Sequence, residues 1–237
     1  MDQHPLTFPA AEPLTNARGQ IDALRIGLNW VHRHKSLFWQ VIRALDRDSP
    51  NPPPSQTWRA HYARLYVDGQ SVAVRRLIGG PASKKDACLY RILSILSDNA
   101  NTITIDRIAQ MHAYTATGSA DPDVVKRHAG AIEREWGNGT GALDPNRIGD
   151  DLATLRRDTT SITTWATKTV AHLDRNPPGT PTFGELNAAI ADVTAIFRKY
   201  GRLLTGQDYA VDHNLLDLAW WLPLRDLFST NGPEESQ

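Results

Sequence analysis

The sequence predicts an all-α fold, a helical bundle of about seven or eight helices, on three observations. Apolar residues recur at steps of three and four through most of the chain. Proline- and glycine-rich stretches separate these runs. Alternating β-branched residues occur in one place, NANTITIDRI at 99–108.

Each element has its own signal. Residues 1–17 are proline-bearing and aperiodic, and read as a flexible N-terminal arm. From Arg18 onward Ile21, Leu24, Leu28 and Val31 fall on one face, followed by Phe38, Val41, Ile42 and Leu45. DRDSPNPPPS, 46–55, stops that helix. Ser55 caps the next, which aligns Trp58, Tyr62, Leu65, Tyr66, Gln70, Ala73 and Leu77 and ends at Gly79-Gly80-Pro81. Ser83 and Asp86 have capping-box spacing ahead of Leu89, Ile92, Leu93 and Leu96. Within 99–108, Thr104 as the cap of a helix over 105–114 is favoured over a strand.

Asp121-Pro122 and Asp144-Pro145 each place a capping acid before a proline at the first helical position. The first of these helices runs to Trp136 and stops at GNGTG, which lacks the GK[ST] of a phosphate loop. The second reads as one long helix through Ile148, Leu152, Leu155, Ile162 and Val170, ending in TTWATKTVAHLDRNPP, 163–178. Thr182 and Glu185 form a capping box for a helix carrying Leu186, Ile190, Val193, Phe197 and Leu204 to Gly206. Residues 18–206 thus form the helical domain. Residues 207–237 hold an apolar helical segment, LLDLAWWLPLRDLF at 215–228, and a tail. Trp220-Trp221 in that segment suit the core or a partner surface.

Composition narrows the function. Lysine plus arginine total 26, as do aspartate plus glutamate, so no chain-wide field draws nucleic acid and any such contact needs a local basic patch. A single cysteine, Cys88, excludes an intrachain disulfide and a cysteine-based zinc site, and fits a reducing compartment. No apolar run approaches the roughly 20 residues of a membrane helix, and the N-terminus lacks a signal-peptide pattern. A cytoplasmic protein without membrane association is expected. His32 and His34 stand two apart, and His61, His112, His128 and His213 are scattered, so neither a metal site nor a cofactor is expected.

On a continuous helix over 158–175, Asp158, Ser161, Trp165, Lys168, His172 and Arg175 share one stripe. Ile162, Ala166, Thr169 and Leu173 form the neighbouring, core-facing stripe. An imidazole is a general acid or base, and an ammonium holds a phosphate oxygen as a point charge. The same residues near a helix C-terminus also serve its last carbonyls. Arg75-Arg76 can bring a guanidinium to this strip in space, whereas Arg156-Arg157 lie too far along its own axis.

Ala171-His172-Leu173-Asp174, with Lys168 ahead and a capped helix behind, resembles the Ala-His-x-Asp signature carried by one branch of the HEPN superfamily. The likeness is to its Abi-U-type, abortive-infection branch. FWQVIRAL and RLYVDGQSVAVRRLI, 64–78, resemble the same branch, and the likeness spans roughly 20–205. It implies an all-α homodimer of bacterial phage defence or toxin–antitoxin type. Such a protein binds RNA or a nucleotide and has an antitoxin-type protein partner. It also implies metal-independent RNA cleavage, with His172 as general acid or base, Lys168 as transition-state cation and Asp174 orienting the histidine or capping locally. Arg175, Arg75 and Arg76 are the expected RNA contacts. Active members carry an arginine separated from the histidine by four to six intervening residues on its N-terminal side; here Thr167, Ala166 and Trp165 occupy those places, and Lys168 is one position too close. A non-catalytic binding or dimerisation module is the alternative.

Overall fold

Helix stops written into the sequence fall where local chemistry puts them. The computed structural model describes residues 13–47, 56–83, 86–172 and 174–209. In chain order the helices are α1 (Pro13–Gly19), α2 (Ile21–Arg47), α3 (Gln56–Ile78), α4 (Leu89–Asp98) and α5 (Ile105–Thr117). They continue with α6 (Pro122–Trp136), α7 (Pro145–Asp158), α8 (Thr160–Trp165), a π-helical turn (Ala166–Ala171) and α9 (Phe183–Thr205). The fold is an all-α bundle. Of two isolated bridges, Thr104 with Ala142 clips the loop after α6 to the start of α5, and Gly137 with Leu143 closes that loop on itself.

Side chains cap four of these helices. Thr104 accepts from the Arg107 N–H, Asp121 from Asp123 and Val124, Asp144 from Asn146, and Thr182 from Glu185. Each satisfies amide donors that the first turn leaves open. Helix α9 is central and packs on α1, α2, α3, α5, α7 and α8. It buries Leu186, Ile190, Val193, Phe197, Tyr200 and Leu204. Its end is set by Gly206 at φ 71°, where an added Cβ would stand 3.0 Å from the His112 ring. Helix α2 runs antiparallel to α9. Trp39 meets Phe183, His32 meets Thr194, and Arg25 meets Tyr209.

Three expectations change. The expected arm, 1–17, ends inside the fold: α1 begins at Pro13, and Leu14 and Ala17 are buried. The Ser83–Asp86 box does not open α4. Ser83 closes a turn with Gly80, and α4 starts at Leu89 behind Cys88, which gives no side-chain cap. The long helix from Pro145 is not continuous, since α7 ends at Asp158, with Thr159 as its C-cap, and the chain widens to π geometry at Ala166. The cause is a run of threonines. The hydroxyls of Thr159, Thr160, Thr163 and Thr167 bond back to the carbonyls of Leu155, Arg156, Thr159 and Thr163 at 2.7–3.1 Å. Such back-bonding competes with the main-chain ladder and bends helices. The 215–228 segment and residues 1–12 lie outside the described residues. Among the described residues no helix is long and apolar enough to cross a membrane.

Candidate nucleic-acid interface

The threonine break decides how the 163–178 strip is presented. Trp165, expected on the polar stripe, is instead in the core at 2% exposure. Its Nε1–H donates to Asp68 Oδ1 at 2.9 Å, and the Arg64 guanidinium lies 4.4 Å above its ring. Arg64 also grips Asp68 at 2.9 Å, so the indole is clamped by one turn of α3. Past Trp165 the chain forms the π-helical turn, closed by the His172 N–H to the Thr167 carbonyl at 3.1 Å.

Lys168, His172, Asp174 and Arg175 then emerge together, all exposed. Lys168 Nζ stands 4.0 Å from Asp174 Oδ2, a loose ion pair between exposed groups. Asp174 accepts from the Asn176 N–H at 3.1 Å, and its own N–H reaches the Lys168 and His172 carbonyls at 3.0 Å. Of its two expected roles, its contacts are those of a local cap. Among the described residues, the His172 imidazole and the Arg175 guanidinium have no hydrogen-bonding or ionic partner. Arg75 and Arg76 stand exposed in the last turn of α3. That is about 10 Å along the axis from the Arg64–Asp68 turn that meets Trp165. Among the described residues no hydrogen bond or ion pair joins either of them to His172.

A second basic surface lies on α2. Between Asp22 and Asp46 this helix has no carboxylate, yet it carries Arg25, Arg33, Lys35, Arg43, His32 and His34, with Trp30 and Trp39 interleaved. His32, Lys35, Ser36, Trp39 and Arg43 line an open cleft of about 420 Å³. Their spacing puts them on one face, beside α9. His32 is buried, with Nε2 2.9 Å from Thr194 Oγ1. Thr194 gives its own proton to the Ile190 carbonyl at 2.6 Å, so the imidazole is the donor in that bond. Burial pulls the Lys35 ammonium below its ordinary pKa. Trp39 is half-buried and makes T-shaped ring contacts with Phe38 and Phe183, at 5.3 and 5.4 Å. The Arg43 Nε–H donates to the Trp39 carbonyl at 3.1 Å. Sequence reasoning weighed His32 and His34 only as zinc ligands. Charge counted helix by helix, rather than over the whole chain, would have found this face.

The two surfaces occupy the same end of the bundle. Tyr62 and Tyr66 of α3 stack on Phe38 at 5.3 and 3.9 Å, next to Trp39, while Arg64 and Asp68 of the same two turns hold Trp165. Two other polar clusters are internally satisfied. Asp151 Oδ2 accepts from Lys199 at 2.6 Å and from the buried Tyr200 hydroxyl at 2.8 Å. Burial, then the bond to Asp151, drives the Tyr200 phenol pKa well above its usual value. His112 is buried, with Nε2 2.9 Å from the Leu203 carbonyl. Burial lowers its pKa, and His128 and Arg18 add to that.

Comparison with known proteins gives no match: no family model fits the chain, and no curated protein or solved structure is similar to it.

Proposed function

We propose that the protein is a HEPN-like RNA-binding module, acting as a homodimer in bacterial phage defence or a toxin–antitoxin pair, that binds rather than cuts at the Lys168–His172–Arg175 strip. The observation that carries this is that His172 and Arg175 are exposed and without a hydrogen-bonding or ionic partner among the described residues, beside Lys168 at the end of a π-helical turn. Such turns are rare and concentrate at functional sites. His172 and Arg175 can meet phosphates without breaking an internal bond, and Lys168 gives up only its loose ion pair with Asp174.

Binding without cleavage fits the surroundings of His172. A general base is oriented by a third group, and the nearby carboxylate of Asp174 is turned to Asn176 and Lys168. The places of the family's arginine hold Thr167, Ala166 and a core-bound Trp165. A second reading, metal-independent endoribonuclease, is favoured by the accessibility of the imidazole, which an arginine from a second protomer can approach. Wild type, His172→Ala and a Lys168→Ala/Arg175→Ala double variant should be incubated with RNA in EDTA. Binding that weakens in the double variant, with intact RNA throughout, supports the module. Cleavage that disappears in His172→Ala supports the enzyme. No RNA binding by the wild type sinks both.

A further inference from the structure

The geometry points to a second RNA contact in the α2 cleft: one nucleotide of a single strand, its base on Trp39 and its two flanking phosphates on Lys35 and Arg43. This inference rests on the reading of the protein as an RNA binder and adds a contact face separate from the His172 strip.

Spacing is the first argument. Lys35 and Arg43 sit four residues before and after Trp39 on one helix face. Each is therefore one turn, about 6 Å along the axis, from the indole. A nucleotide inside a strand has a phosphate on either side of its base, and a cation on either side of an aromatic ring is the complementary arrangement. Proteins that bind single strands without reading sequence combine these two parts, a basic track and aromatic platforms.

Availability is the second. Neither Lys35 nor Arg43 has a carboxylate partner among the described residues, and α2 offers none between Asp22 and Asp46. An incoming phosphate need not displace an internal ion pair. Preorganisation is the third. Phe38 and Phe183 hold Trp39 in two T-shaped ring contacts, and His32 beside it is tied to Thr194. A platform already held in place loses little freedom when a base stacks on it. The cleft and the strip lie at the same level of α3, on its Tyr62–Tyr66 and Arg64–Asp68 faces.

The test titrates a labelled 12-nucleotide oligoadenylate RNA, and adenosine monophosphate separately, into the full chain at several salt concentrations. Trp39→Leu should weaken oligomer binding about tenfold or more. Lys35→Gln and Arg43→Gln should each reduce the slope of log affinity on log salt by about 0.7, the contribution of one phosphate on a single strand. Arg43 is exposed, so its variant stays informative if Trp39→Leu fails to fold. Wild-type affinity and slope in both charge variants would overturn the inference, and binding lost only through Lys168 and Arg175 would then leave the strip reading standing. Weakening in the cleft variants with unchanged strip variants would support the cleft and remove the strip. Adenosine monophosphate binding as tightly as the oligomer would overturn the commitment to a strand.

Discussion

Helices α2 and α9 are antiparallel neighbours of 27 and 23 residues, and they treat their cations in opposite ways. On α9, Lys199 pairs with Asp151 at 2.6 Å, Arg202 with Glu135 at 2.6 Å, and Arg198 with Asp208 at 4.0 Å. On α2, Arg25 has Asp22 at 3.5 Å, but Arg33, Lys35 and Arg43 have no carboxylate among the described residues. A chain-wide balance of 26 against 26 therefore conceals a neutralised side and an unneutralised one. Paired charges tie helices together. Unpaired ones are left to act on whatever approaches.

Removing the central acid of the paired side gives the largest expected effect. Asp151→Ala leaves the Lys199 ammonium and the buried Tyr200 hydroxyl without their shared acceptor. The expected loss is about 2–3 kcal/mol, the scale for orphaning partly buried donors. Urea unfolding reads it, and RNA affinity of the folded variant should be unchanged. A loss below about 0.5 kcal/mol would mean that this side is no more structural than α2.

The start of α9 gives a smaller effect. Thr182 and Glu185 exchange bonds, Thr182 N–H to Glu185 Oε2 at 2.7 Å and Glu185 N–H to Thr182 Oγ1 at 3.1 Å. Thr182→Ala should cost about 1 kcal/mol in the same measurement. Because α9 also carries Phe183 against Trp39, a frayed first turn should loosen the cleft platform and weaken RNA binding, whereas Asp151→Ala should not.

Acid separates the two helices in another way. At the C-terminal end of α9, His112 has its folded pKa depressed, by burial first and then by His128 and Arg18, against the opposing bond to Leu203. The unfolded chain then binds the proton more readily. Stability present above the unfolded value, near 6.5, is lost as pH falls through the folded one. His112→Phe should flatten that part of the stability profile. An unchanged slope would remove His112 as its source.

Local chemistry was legible in the sequence, and long-range chemistry was not. Thr104, Asp121, Asp144 and Thr182 announce their helices because a cap acts on amides two or three residues away. Apolar period gave the core face of α2 and α9 for the same reason, whereas on α3 it placed Tyr66, Gln70 and Leu77 correctly but also Leu65, which is 56% exposed, and passed over the buried Val67, Val74 and Ile78. The break at Thr159 escaped because each threonine is tolerable alone, and only the sum of four back-bonds bends the helix. Trp165 was misplaced because its partner, Asp68, is 97 residues away. The strip survives as a cluster of Lys168, His172, Asp174 and Arg175, while Arg75 and Arg76 are not joined to it. The cleft on α2 escaped because its cations were summed with acids that sit on other helices.

The smallest stability effects test the comparison most directly, through two charge reversals. Arg202 is half-exposed and bonded to Glu135, so Arg202→Glu replaces an attraction with a repulsion and should cost about 0.5–1 kcal/mol. RNA affinity should hold within about twofold, since this charge is already spent. Arg43 is exposed and has no ion-pair partner among the described residues, so Arg43→Glu should shift stability by no more than about 0.5 kcal/mol. Yet it should weaken RNA binding by more than the neutral Arg43→Gln, because a phosphate now meets a carboxylate. Both reversals change net charge by the same two units. A long-range field would make them lower RNA affinity equally, and that result would mean that pairing on α9 and its absence on α2 make no functional difference. A gap in RNA affinity that persists at high salt would instead tie binding to the local contact, because screening removes the distant contribution first.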